Sequence, residues 1–208
     1  MASSEVFSDT VTATALLKPF GTPSRSSELG ALLKEGVFQL NTRRFGALTE
    51  LFIKRLKSFD RSQNIFYDLY DAVKGQRVEV KFSTVLSKWS TPLREDNLEA
   101  VLREAVSGDR AVVFPNWPNS SFDCNIQQVK PAEFESLFYG LFFDDRILVF
   151  KCTTEDIGQM PAWSAKQHKG NVGEGQFHIT NRNLQYHIDH HLIQHLSYTQ
   201  FADILFDQ

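Results

Sequence analysis

The run RVEVKFS, Arg77–Ser83, alternates apolar and polar side chains, and that two-residue period specifies an extended strand. Val78, Val80 and Phe82 share one face, while Glu79, Lys81 and Ser83 share the other. Upstream, NIFYDLY is a second β-prone run, joined to the first across Lys74-Gly75, so the pair reads as a hairpin. A two-residue loop would set Tyr70 opposite Glu79 and Asp68 opposite Lys81. In the first strand, Ile65, Tyr67, Leu69 and Val73 then form the apolar set, with Asp68 on the face of Glu79 and Lys81. A three-residue loop would pair Asp71 with Glu79 instead, at the cost of burying a charge among core residues. Asp68 is the reading adopted, with Asp71 in reserve.

Two carboxylates on neighbouring strands offer hard oxygen ligands of the kind Mg²⁺ takes, one or two at a time, beside water and phosphate oxygens. An adjacent lysine can hold a water molecule and balance charge at a phosphate. A surface hairpin carrying an ordinary Glu–Lys pair is the alternative, because a Glu-x-Lys tripeptide alone carries little information.

The order of elements widens the context. Residues 1 to about 27, rich in Ser and Thr, read as a flexible arm with one short helix around Ala13–Lys18. A helix follows at Glu28–Lys34. In NTRRFGALTELFIKRLKSF, Phe45, Leu48, Phe52, Leu56 and Phe59 recur at helical spacing, with Asn41 or Thr42 as N-cap. After the hairpin, REDNLEAVLREAVSGD predicts an amphipathic helix, RAVVFP a short strand and SFDCNIQQVKP another. AEFESLFYGLFF reads as an apolar helix and RILVFKC as a buried strand. Two helices, Leu184–Leu196 and Thr199–Phe206, close the chain. Residues 43–152 thus run α-β-β-(insert)-β-α-β, a mixed α/β (α+β) class with a central mixed β-sheet flanked by helices. Residues 28–208 are expected to form a single domain.

Composition sets outer limits. The 208 residues carry a formal charge of −3, which argues against indiscriminate coating of nucleic acid but allows a local basic groove. Eighteen phenylalanines imply an aromatic core. Cys124 and Cys152 stand far apart in apolar runs, as buried free thiols would. No apolar run reaches membrane-spanning length and no secretion signal is evident, so an intracellular, cytoplasmic protein is expected.

YDLYDAVKGQRVEVKFS resembles the Asp…(Glu/Asp)-x-Lys motif of the PD-(D/E)XK superfamily of nucleases, and among them the type II restriction endonucleases. The core of that family has the order α-β-β-β-α-β, and NIQQVKPAEFESLFYGLFFDDRILVFKC is similar to its later part. The resemblance covers roughly residues 43–152. Tyr67 stands where the family often has proline. The resemblance implies a restriction-endonuclease-like core in which Asp68, Glu79 and the Val80 carbonyl ligate Mg²⁺, Lys81 positions the attacking water, and Glu50 on the preceding helix supports the site. A solvated surface role is the other reading of Glu50.

Other features are weighed beside this motif. Gln128-Val129-Lys130, preceded by Asp123, imitates a Gln-x-Lys variant, although Pro131 sets Lys130 at a strand end. The segment KQHKGNVGEGQFHITNRN offers Gln167, His168, Lys169, Asn171, Gln176, His178, Arg182 and Asn183 as candidate DNA-binding residues, the amides suiting adenine edges and the cations guanine. Lys166 suits a phosphate contact, and a plain polar loop is the alternative for the whole segment. Trp89 and Trp117 lie in the insert, to touch DNA or simply to pack. His187, His191 and His195 recur along one predicted helix, a spacing open to zinc, but flanking leucines make a structural role the preferred reading.

The function expected is therefore a sequence-specific, Mg²⁺-dependent endonuclease acting on double-stranded DNA, working as a homodimer because duplex sites are two-fold. The alternatives are a structure-selective or repair endonuclease on the same core, and a catalytically inactive nucleic-acid-binding domain.

Overall fold

The computed structural model describes residues 24–88, 92–107, 110–166 and 173–206. The expected helix at Ala13–Lys18, Trp89, and the candidates Gln167, His168, Lys169 and Asn171 lie outside the described residues.

Two N-terminal helices open the described chain. Helix α1 spans Arg25–Val37, three residues earlier than its apolar pattern indicated, because Ser24 caps it by accepting the Ser27 amide. The described chain is therefore helical already where the arm was expected to end, at residues 25–27. Helix α2 spans Thr42–Lys57, capped by the Asn41 side chain and closed by left-handed Ser58.

The principal sheet contains β1 (Asp60–Arg61), β2 (Leu69–Asp71), β3 (Gln76–Thr84), β5 (Ser136–Phe142), β6 (Ile147–Thr153) and β9 (Leu192–Leu196), in that spatial order. Strands β3 and β5 run parallel and the remaining pairs antiparallel, so the sheet is mixed. Strands β4 (Asp123–Val129), β7 (Trp163–Ser164) and β8 (Gly175–Thr180) form a smaller antiparallel sheet ordered β4-β8-β7. Helix α3 spans Leu98–Ser107, α4 Thr154–Ile157, α5 Leu184–His191 and α6 Tyr198–Phe206. The class is mixed α/β, with helices flanking a mixed sheet, as expected.

Alternation along the sheet separates two cores. Val78, Val80, Phe138, Phe142 and Val149 face Phe52 and Ile53 of α2 and Phe201 and Leu205 of α6. Leu137, Tyr139, Leu141, Leu148 and Phe150 face Cys124, Ile126, Phe177 and Ile179 of the smaller sheet. The molecule is layered helix–sheet–sheet, and most of its phenylalanines fill the two interfaces. Both cysteines are free and buried, as expected.

Three expected elements are corrected. AEFESLFYGLFF is not a helix: Ser136–Phe142 is strand β5, buried at every position. An uninterrupted apolar run of this length fits a strand covered on both faces as well as it fits a buried helix, and the packing decides. Gly140 marks the constraint, since a Cβ there would overlap the Phe82 ring and approach the Leu148 carbonyl at 2.5 Å. The order over residues 43–152 consequently carries a strand where a helix was expected before β6. Leu184–Leu196 is likewise not one helix, because the open edge of β6 takes Leu192–Leu196 as a strand. RAVVFP forms only an isolated bridge, Ala111 to Leu86, before a 3₁₀ turn at Phe114–Asn119.

Candidate functional site

The hairpin closes through a four-residue loop, with Asp71 opposite Gln76, Tyr70 opposite Arg77 and Leu69 opposite Val78. Both shorter loops considered from the sequence are therefore wrong. Asp71 is the cause: its Oδ1 accepts the Val73 and Lys74 amides at 3.1 Å each, and Gly75 takes φ +65° to complete the turn. Relative to the two-residue loop the register moves by two, and a shift of two keeps every side chain on its own face. Tyr70 is thus not opposite Glu79, nor Asp68 opposite Lys81. Asp68 instead lies one step beyond the Leu69–Val78 pair, its amide donating to the Val78 carbonyl at 3.1 Å. The strand ahead of it is shorter than expected, leaving Ile65 and Val73 exposed in loops rather than packed in an apolar set.

The trio meets. Lys81 Nζ lies 3.8 Å from Asp68 Oδ2 and in direct contact with Glu79 Oε1. Asp68 Oδ2 also accepts the Val80 amide at 2.9 Å. In an extended strand the N–H and C=O of one residue point to the same side, so the Val80 carbonyl also faces the side of Asp68. Parallel pairing with β5 holds the other edge, setting Glu79 beside Leu137 and Lys81 beside Tyr139. Arg77 pins the start of β3, donating its amide to Glu135 Oε2 at 2.6 Å and its Nε to Oε1 at 2.9 Å.

Burial governs the charges. Glu79 is buried, and desolvation raises its carboxyl to about 7, with Asp68 adding to the rise and Lys81 opposing it. For Lys81 burial acts downward, but Glu79 and Asp68 outweigh it and hold the ammonium above its ordinary value. Glu50 on α2 is raised as well, by desolvation first and then by the charge of Asp68, against the pull of Lys81.

Two clefts flank the trio, and Glu50 lines both. One, of about 610 Å³, runs between α2, β3 and β4 and includes Arg43, Lys81, Asn125, Gln127 and Gln128. The other, of about 420 Å³, includes Lys54, Arg61, Asn64, Ile65 and Asp68. The sequence carries no signal for the contribution of β4, in which Gln128 reads only as part of a Gln-x-Lys motif. Nothing in a linear pattern reports that β4, a strand of the smaller sheet, packs beside β3.

The remaining candidates disperse. Gln176 Oε1 accepts Asn125 Nδ2 at 3.2 Å, so it touches the cleft wall indirectly. His178 is paired with Asp123 at 2.6 Å. Asn183 shapes its own turn, accepting the Thr180 amide at 2.7 Å and donating to the His178 carbonyl at 2.8 Å. Arg182 is exposed. Trp117 packs, partly buried, against the core. The three histidines do not share one helix, because His195 lies in β9. His187 is fully buried, with Nδ1 2.9 Å from the Tyr139 hydroxyl, and burial pushes it down to about 3, so it is neutral and structural.

Among the described residues no three His, Cys, Asp or Glu side chains are grouped to cage a metal ion, and no helix is long and apolar enough to cross a membrane. No protein-family model matches the chain, and none of the curated proteins matches it.

Proposed function

We propose that the chain is a Mg²⁺-dependent endonuclease of double-stranded DNA that resembles the type II restriction enzymes in its Asp…Glu-x-Lys hairpin and its mixed sheet, with strand β5 standing where the core of that family has a helix. One observation carries the reading: Asp68 and Glu79, from adjoining positions of a hairpin, converge on the Lys81 ammonium. Two carboxylates with a carbonyl beside them suit an ion that keeps several waters and binds phosphate, rather than an all-protein cage. Asp68, Glu79 and the Val80 carbonyl are the groups to hold Mg²⁺, which supplies a lowered water pKa and stabilises charge gathering on the phosphate.

The residues of the chain do the rest. The Val80 amide fixes the Asp68 carboxylate in place, so one ligand oxygen is oriented before any substrate arrives. Lys81, kept charged by its acidic neighbours, orients the attacking water and offsets charge on the phosphate. Glu50, which lines both clefts, is the group assigned in this reading to hold a further water or to take a proton. Cutting both strands calls for two such sites, hence a homodimer. A cytoplasmic setting accords with this role.

The test is incubation of defined plasmid DNA with and without Mg²⁺. Discrete fragments that require Mg²⁺ are expected. Lys81→Ala should abolish cleavage while leaving binding to DNA largely intact, and unchanged cutting by that variant would overturn the assignment.

A further inference from the structure

The two clefts beside the trio differ in chemistry. The one holding Asp68 is lined by Lys54 and Arg61, cations suited to phosphate. The β4 wall of the other presents Asn125, Gln127 and Gln128, which are neutral amides. An amide pairs one donor with one acceptor, the arrangement that matches a nucleobase edge in the major groove rather than a phosphate.

The backbone of this wall is irregular where the amides lie. The pairing of β4 with β8 slips between Ile126 and Val129, and Gln128 takes φ +56°. A bulge of this kind interrupts the ladder and re-aims side chains, and such bulges concentrate beside active sites. Gln127 and Gln128 are both exposed there. Asn125 is held from behind by Gln176, while its Oδ1 is enclosed with no hydrogen-bond partner among the described residues.

We infer that the β4 bulge is the base-reading element of the site, with Gln127 and Gln128 contacting base edges on a foundation of Asn125 and Gln176, while Lys54 and Arg61 grip the backbone of the same duplex. The inference rests on the nuclease reading above. It moves recognition from the Gly-rich segment, where the sequence reading locates it, to a strand that lines the same cleft as Lys81.

The experiment is cleavage of a duplex library with randomised sequence in Mg²⁺, with the cut ends sequenced. The proteins compared are the wild type, Gln127→Ala, Gln128→Asn and the double variant Lys54→Ala/Arg61→Ala. Asparagine at 128 tolerates the left-handed backbone but shortens the reach. Loss of a base contact should cut the preference for the favoured base at one position about tenfold or more. The Lys54/Arg61 variant should weaken all sequences alike and flatten the dependence on salt. Thermal melting of each variant separates altered reading from misfolding. Wild-type protein that cuts selectively, with both glutamine variants cutting the same sites in the same proportions, overturns this inference and leaves the nuclease reading standing. A uniform fall across all sequences in those variants overturns it too. Wild-type protein that cuts no sequence overturns the nuclease reading and the inference with it.

Discussion

Asp68 accepts the Val80 amide at 2.9 Å, so the same carboxylate that is proposed to hold the metal also braces the central strand. The two roles separate by substitution. Asp68→Asn keeps an oxygen acceptor and should fold with nearly wild-type stability, yet lose at least about a hundredfold in cleavage. Asp68→Ala leaves the Val80 amide without its partner and should also cost about 1–3 kcal/mol in denaturant titration. Equal stability of the two variants would show that the brace contributes nothing.

Asp71 supplies the contrast. Its Oδ1 accepts two turn amides, and it stands away from the Lys81 contacts. Asp71→Ala is expected to destabilise the fold by about 1–2 kcal/mol while sparing Mg²⁺-dependent cleavage below its melting temperature. Abolished cleavage in a folded Asp71 variant would transfer the metal role to that residue.

A pH signature follows from Glu79, whose carboxyl burial raises to about 7 from an ordinary value of 4.5. The folded state binds this proton more tightly than the unfolded chain does. The stability linked to it is therefore complete below about 4.5 and is lost as pH rises through about 7. Glu79→Gln is fixed in the neutral form, so its melting temperature relative to wild type should climb between about pH 5 and about pH 8. Lys81 stays charged across that window, and its attraction for ionised Glu79 is already contained in the value of about 7. Millimolar Mg²⁺ should shrink the gap at the alkaline end by favouring ionised Glu79, a readout independent of activity. A gap flat in pH would mean that Glu79 is ionised throughout.

Gly140 is a tight point of strand β5. A methyl group there meets the Phe82 ring and the Leu148 carbonyl, between two strands that cannot separate without unpairing. Gly140→Ala should cost about 1–3 kcal/mol or more, measured by urea unfolding. A neutral effect would show that β3 and β5 yield at this point.

How much of this was legible in the sequence depends on the range of the interaction that decides each feature. The strand Gln76–Thr84, its two faces, helix α2 with its Asn41 cap, and the buried thiols are written in local alternation, helical spacing and side-chain chemistry. Because strand faces repeat every two residues, the grouping of Asp68, Glu79 and Lys81 survived an error in loop length. Ser136–Phe142 was not legible, since a continuous apolar run has no period to distinguish strand from helix.

Those residue types and their spacing determined that a carboxylate–carboxylate–lysine trio exists on one face of an extended segment, because both the alternation and the turn are local. Tertiary structure alone decided that β5 completes the sheet, that Leu192–Leu196 leaves its helix for an open edge, and that an amide-bearing strand comes to lie beside Lys81. Those outcomes depend on which distant surfaces bury each other, a choice settled by packing across the whole chain and by the need to satisfy every exposed sheet edge.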